Sequence, residues 1–286
     1  MDSDKPIENG GNKDIKAFRK SFNEIYETFD KSSAADVFEL RDIYRKWNCD
    51  NCLNFDESDD VYFGLVDDFL SRSGAFEGFS AGPKVDHNGK SKEMTESISL
   101  QRQMIDEVSK CTSFDSNGNI LIINQSAFDR LSTTISFLDR VTNDLLQKPQ
   151  LKSPTCQSGK YLSGLRSMIG ASLLARGAGF KVEFGPEKYD IGNDLDMILV
   201  NETGKRIGLD VTTGNEYNGK FGFYFNMDDR ATRITGAIAQ ELSITNRSKL
   251  IIPSKGACPQ CYDPDLTHGN VGFPSQKMIS DFRNIF

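Results

Sequence analysis

The stretch that decides the fold is Ile191–Gly214: Ile-Gly-Asn-Asp-Leu-Asp-Met-Ile-Leu-Val (191–200), Asn-Glu-Thr-Gly-Lys-Arg (201–206), Ile-Gly-Leu-Asp-Val-Thr-Thr-Gly (207–214). Two apolar runs flank a polar break that contains Gly204. That pattern predicts two strands joined by a tight turn. Each strand carries an acid where a plain core strand has none. Asp196 opens the first run, and Asp210 lies between Leu209 and Val211 in the second. Strand side chains alternate faces, so Asp194 shares a face with Asp196, and Asp210 with Thr212. Pairing across Gly204 brings Asp196 and Asp210 together. Two close carboxylates repel unless a proton or a cation lies between them. Oxygen-only ligands suit magnesium. Asp190 and Asp194 read more simply as turn formers.

The flanks extend the pattern. Leu162, Leu165, Ile169 and Leu173 recur at helical spacing within Lys160–Gly179, where Gly177 and Gly179 mark the stop. Phe180–Phe184 alternates apolar and polar residues, as a strand does. Downstream, Asp229 can cap a helix with an Ile234, Ile238, Leu242 stripe, and Leu250–Ile252 reads as a buried strand closed by Pro253.

In this order of elements, with the Arg-Gly-Ala-Gly-Phe helix end, Asp-Leu-Asp-Met-Ile-Leu-Val and Gly-Leu-Asp-Val-Thr, the sequence over about 160–253 resembles the PD-(D/E)XK nuclease superfamily. The resemblance implies a mixed α/β class with a restriction-endonuclease-like αβββαβ core. It implies a metal-dependent DNA endonuclease, of restriction type, that hydrolyses phosphodiester bonds. Asp196 and Asp210 then correspond to the two metal-binding acids, with magnesium as cofactor. The family places lysine two residues after the second acid; this chain has Thr212. Some active relatives substitute or relocate that lysine. Thr212 can only hydrogen-bond a water, so a cation must be borrowed: Lys220 in the glycine-rich loop after the strand, or Lys181 on the neighbouring one. The family often carries a glutamate on its first helix, and none lies between Lys160 and Arg176. The alternative is a catalytically inactive nuclease-like fold that binds nucleic acid or a protein partner.

At 286 residues the chain can hold two domains. Residues 1–13 are polar and glycine-rich, and are expected to be disordered. Residues 14–148 carry helical stripes, and residues 149–286 are mixed. Gln147–Ser158, with Pro149 and Pro154, is the expected boundary. The helical region is assigned recognition or homodimer contacts. No apolar run is long enough for a membrane span, and the polar start is no signal peptide, so a cytoplasmic location is expected. The net charge is −7, and the acid excess lies in residues 1–70. Global acidity therefore argues little against nucleic-acid binding by the second half.

Cys49 with Cys52, and Cys258 with Cys261, form two Cys-x-x-Cys pairs. Together they offer the four thiolates of a zinc site that would clamp the two regions together. His268 is an alternative ligand for the second pair, and four unrelated thiols are an equal reading. Cys111 and Cys156 stand alone and read as packing residues. No Walker loop, dinucleotide fingerprint or Gly-x-Ser-x-Gly elbow appears.

Overall fold

The computed structural model describes residues 61–72, 92–145, 158–214, 224–226, 232–253 and 258–285. The chain is mixed α/β. The expected helices at 15–29 and 38–47, Cys49, Cys52, Cys156, Lys220 and Asp229 lie outside the described residues.

Among the described residues, α1 (Val61–Arg72), α2 (Lys92–Cys111) and α3 (Gln125–Leu145) come first. A small hairpin, β1 (Thr112–Phe114) with β2 (Ile120–Ile122), joins α2 to α3. The apolar faces of the helices meet those of α4 (Ser158–Gly177) in one cluster. It contains Leu65, Val108, Leu131 and Leu138 with Leu162, Leu165, Ile169 and Leu173. Phe273, near the end of the chain, belongs to the same cluster. This cluster draws residues from both sides of the expected boundary at 147–158.

The other side of α4 covers a five-stranded sheet of order β3-β4-β5-β7-β6. β3 (Lys181–Glu183), β4 (Met197–Val200) and β5 (Arg206–Thr213) form an antiparallel meander. β7 (Asn246–Ile252) joins β5 in parallel, and β6 (Tyr224–Asn226) pairs antiparallel with β7 at the edge. The expected hairpin is present, and its turn places Gly204 at φ 80°, where a Cβ would be strained. Strand alternation then sorts the side chains. Met197, Leu199, Ile207, Leu209, Leu250 and Ile252 pack with Met168, Ala171 and Leu174 of α4. Ile198 packs on the other face with Leu195, Ile234, Ile238 and Ile244. Gly208 is required there, because a Cβ would lie 3.0 Å from Ile244 and 3.3 Å from Ile234.

Two elements differ from expectation in extent. α6 covers only Gly236–Glu241, capped by the Thr235 hydroxyl, which accepts from the Ile238 amide; Ile234 precedes it. β7 begins at Asn246, four residues before the apolar run that announced it. Elements that were not expected include α5 (Glu187–Asn193), between β3 and β4, and the edge strand β6. α7 (Leu266–Val271) and α8 (Gln276–Arg283) close the chain, and α8 packs against α4. Among the described residues, no helix is long and apolar enough to cross a membrane.

Candidate metal site on the β4–β5 hairpin

β4 pairs with β5 from Met197↔Leu209 to Val200↔Arg206, and Asp196 lies one residue before this ladder, close enough to Asp210 for the two charges to act on each other. The Asp196 amide donates to the Leu209 carbonyl at 3.0 Å. The Asp196 side chain folds over the same rung, where its Oδ2 accepts from the Val211 amide at 2.5 Å. Both acids stand on the sheet face opposite α4. Asp210 is only 2% exposed. Its two oxygens are held by different donors: Oδ1 accepts from Thr212 Oγ1 at 3.0 Å and Oδ2 from Lys249 Nζ at 3.0 Å. The Thr212 contact follows from strand phase, since residues two apart share a face.

Lys249 is the cation beside Asp210 that the sequence reading missed. It lies on β7 directly across from Asp210 in the parallel register. The expected cations were Lys220 and Lys181. Lys181 does not serve. It sits beside Val200, toward the turn end of β4, and pairs with Glu183 at 2.8 Å on the exposed edge. Lys220 lies outside the described residues. The signal that could have found Lys249 was its place in Asn-Arg-Ser-Lys-Leu-Ile-Ile, had the strand been extended back to Asn246.

Two further acids approach the pair. Asp194 caps α5 in the left-handed conformation, with φ 52°, and pairs with Arg233 at 3.4 Å, so its turn-forming role holds. Asp190 is not a turn former. It lies in the first turn of α5, where an acid complements the helix dipole, and it accepts from Arg102 Nη2 at 2.9 Å. Burial raises the Asp190 carboxyl to about 6, against the pull of Arg102. Asp196 keeps part of its surface exposed, yet burial of its carboxyl is the largest influence on it. Burial and the charges of Asp190, Asp210 and Asp194 hold it well above the ordinary carboxylate range; only the Val211 amide opposes them.

The acid pair meets the chemical demands of a divalent cation. Its donors are oxygens alone, and burial together with the charges of neighbouring acids raises Asp196. Among the described residues, Asp196 Oδ1 accepts no hydrogen bond. No set of three histidines, cysteines, aspartates or glutamates converges on one point among the described residues. A cation there would draw its other ligands from water or substrate, as magnesium commonly does.

Of the two cysteine pairs, Cys258 and Cys261 lie among the described residues. Cys258 and Cys261 are both buried and bonded to each other as a disulfide. A disulfide offers no thiolate, so in this state the pair cannot supply half of the expected zinc site. His268 does not turn to those sulfurs; its ring stands edge-on to Phe128 at 4.8 Å and its Nδ1 lies 3.6 Å from Asp263. Cys111 is buried and free, as expected for packing, and burial pushes its thiol up to about 11.

No protein-family model matches the chain, and neither a curated protein nor a solved structure is significantly similar to it.

Proposed function

We propose that the protein is a magnesium-dependent endonuclease of the PD-(D/E)XK kind that acts on DNA. The observation that carries this reading is the approach of Asp196, bonded to the Val211 amide, to Asp210, with the Lys249 ammonium bonded to Asp210. The order helix, strand, strand with Asp196, strand with Asp210, helix, strand adds support, with α5 and β6 as additions. Asp196 and Asp210 would hold the cation. When bound, magnesium lowers the pKa of a water and stabilises charge on a phosphate. Lys249 pairs with Asp210 and supplies the positive charge that Thr212 lacks. Thr212 orients Asp210 through its hydroxyl. Because Asp196 gives up its proton only at raised pH, cation affinity increases as pH rises.

The test is nicking or linearisation of plasmid DNA, and cleavage of single-stranded DNA and RNA, with magnesium or manganese. Asp196→Ala and Asp210→Ala abolish cleavage, and Thr212→Ala costs less. A wild type that neither cleaves nor binds either metal would overturn the reading. Lys249 also favours a second reading, a non-hydrolytic binding module, because the ion pair already neutralises Asp210 without a metal. Nucleic-acid binding that is unchanged by chelator and by Asp210→Asn would select it.

A further inference from the structure

Arg102 belongs to α2, in the helical region, yet its guanidinium is spent on the approach to the acid pair. The residue is 8% exposed. Nη1 donates to the Gly185 carbonyl at 2.6 Å and Nη2 to Asp190 Oδ2 at 2.9 Å. Glu187 lies 3.9 Å away, and the Phe184 ring centroid is 5.3 Å from the guanidinium carbon. Burying an arginine is unfavourable unless its charge is matched. Here all the matching groups lie on 184–190, the segment that enters and begins α5.

That segment determines where Asp196 stands. The Asp190 carbonyl accepts from the Asp194 amide at 3.2 Å, and the Tyr189 carbonyl from the Leu195 amide at 3.1 Å. These bonds turn the chain at Asp194, bury Leu195 completely and deliver Asp196 to the Leu209 carbonyl. We infer that Arg102 is a positioning residue: it clamps the entry to α5, and α5 fixes Asp196 against Asp210. The inference rests on the acid pair being the working site. It gives the helical region a part in assembling that site, beyond recognition or dimer contacts. An arginine is needed because one planar fork reaches a carbonyl and a carboxylate together. A lysine keeps the charge but offers a single point of contact.

The Val211 amide, which donates to Asp196, reports this placement, as does the Leu195 amide. Amide hydrogen exchange of the full chain should be compared in wild type, Arg102→Lys and Arg102→Gln, with manganese titrations of the same proteins. In Arg102→Gln, exchange at Val211 and Leu195 should speed at least about tenfold relative to the β5–β7 ladder amides. Arg102→Lys should fall between, and manganese affinity should weaken in the same order. A uniform acceleration across the sheet, or none, overturns the inference. If Arg102→Gln does not fold, a wild-type rate at Val211 in Arg102→Lys overturns it. A wild type that binds no manganese removes the hydrolase reading, while the exchange rates still decide the role of Arg102.

Discussion

Two hairpins among the described residues have similar turns and opposite uses of aspartate. In β1–β2 the turn places Gly118 at φ 81°, and in β4–β5 Gly204 at φ 80°. In the first, Asp115 is consumed locally. Its Oδ1 accepts from the Asn117 and Asn119 amides at 2.8 Å each, and its Oδ2 from Asn119 Nδ2 at 2.6 Å. Asn201 does the same work in the second turn, accepting from Thr203 and Lys205. That leaves Asp196 and Asp210 at the open end of the second hairpin, where Asp210 is held by Thr212 and Lys249 and Asp196 has one backbone donor and the charges of Asp190, Asp210 and Asp194 beside it. Donors from Asn119 and the turn hold Asp115 below the ordinary carboxylate range, whereas burial and neighbouring acids hold Asp196 above it. An acid with its donors nearby is part of the turn. An acid short of donors is available to a ligand.

The sharpest way to break this contrast is to remove one acid from each hairpin and measure manganese binding and plasmid cleavage. Asp210→Ala should lose both, because a ligand and the charge that holds Lys249 disappear together. Asp115→Ala should leave both at the wild-type level. Equal losses from the two variants would show that the open hairpin end has no special role.

Much of this was legible in the sequence because periodicity speaks directly to strand phase. The hairpin and its turn at Gly204 follow from apolar alternation and the polar break alone. What was illegible came from residues whose partners are distant in sequence. Lys249 is polar and precedes Leu250, so a reading by hydropathy started β7 too late. The parallel register, which no local pattern carries, is what sets it beside Asp210. Asp190 read as a turn residue because Arg102, its partner, lies 88 positions earlier. The Ile234 stripe overextended α6, since Ile234 packs from the approach to that helix on the same cluster. The disulfide of Cys258 and Cys261 could not be told from a zinc pair, because both need the same spacing.

The next effect concerns Asp190. Its carboxyl is raised to about 6 in the fold, from 3.8 as an ordinary aspartate. The folded state therefore holds a proton that the unfolded chain has already released, and this stability is lost as pH rises through about 6. Asp190→Asn does not titrate there. The unfolding free energy of wild type relative to Asp190→Asn should fall by up to about 3 kcal/mol between about pH 4 and pH 6. Asp196 adds in the same direction, since the Asp190 charge is one cause of its own rise. Parallel pH profiles for the two proteins, by denaturant titration, would show that Arg102 fully compensates Asp190.

Lys249 gives a smaller effect. Its side chain is 26% exposed and that of Asp210 3%, so the pair is screened on one side only. Lys249→Met leaves the Asp210 carboxylate buried with Thr212 as its remaining side-chain donor, which should cost about 2 kcal/mol. Adding Asp210→Asn should restore most of that loss, because the unpaired charge is gone. A double-mutant cycle with no coupling would mean that the lysine does not neutralise Asp210 in solution.

The smallest effect is the most diagnostic of direction. Asp115 sits in an exposed turn, and hydrogen bonds from Asn119, then from the turn backbone, lower its carboxyl below 3.8. The folded state therefore releases this proton before the unfolded chain does. Its contribution is present above the ordinary aspartate range and is lost as pH falls below it, the reverse of Asp190. Asp115→Asn cannot ionise, so the melting temperature of wild type relative to this variant should fall only on acidification below about pH 4. The two hairpins then respond to pH with opposite signs. If the wild type loses ground to Asp115→Asn as pH rises instead, Asp115 is held by acids rather than donors, and the contrast between the two turns fails at its base.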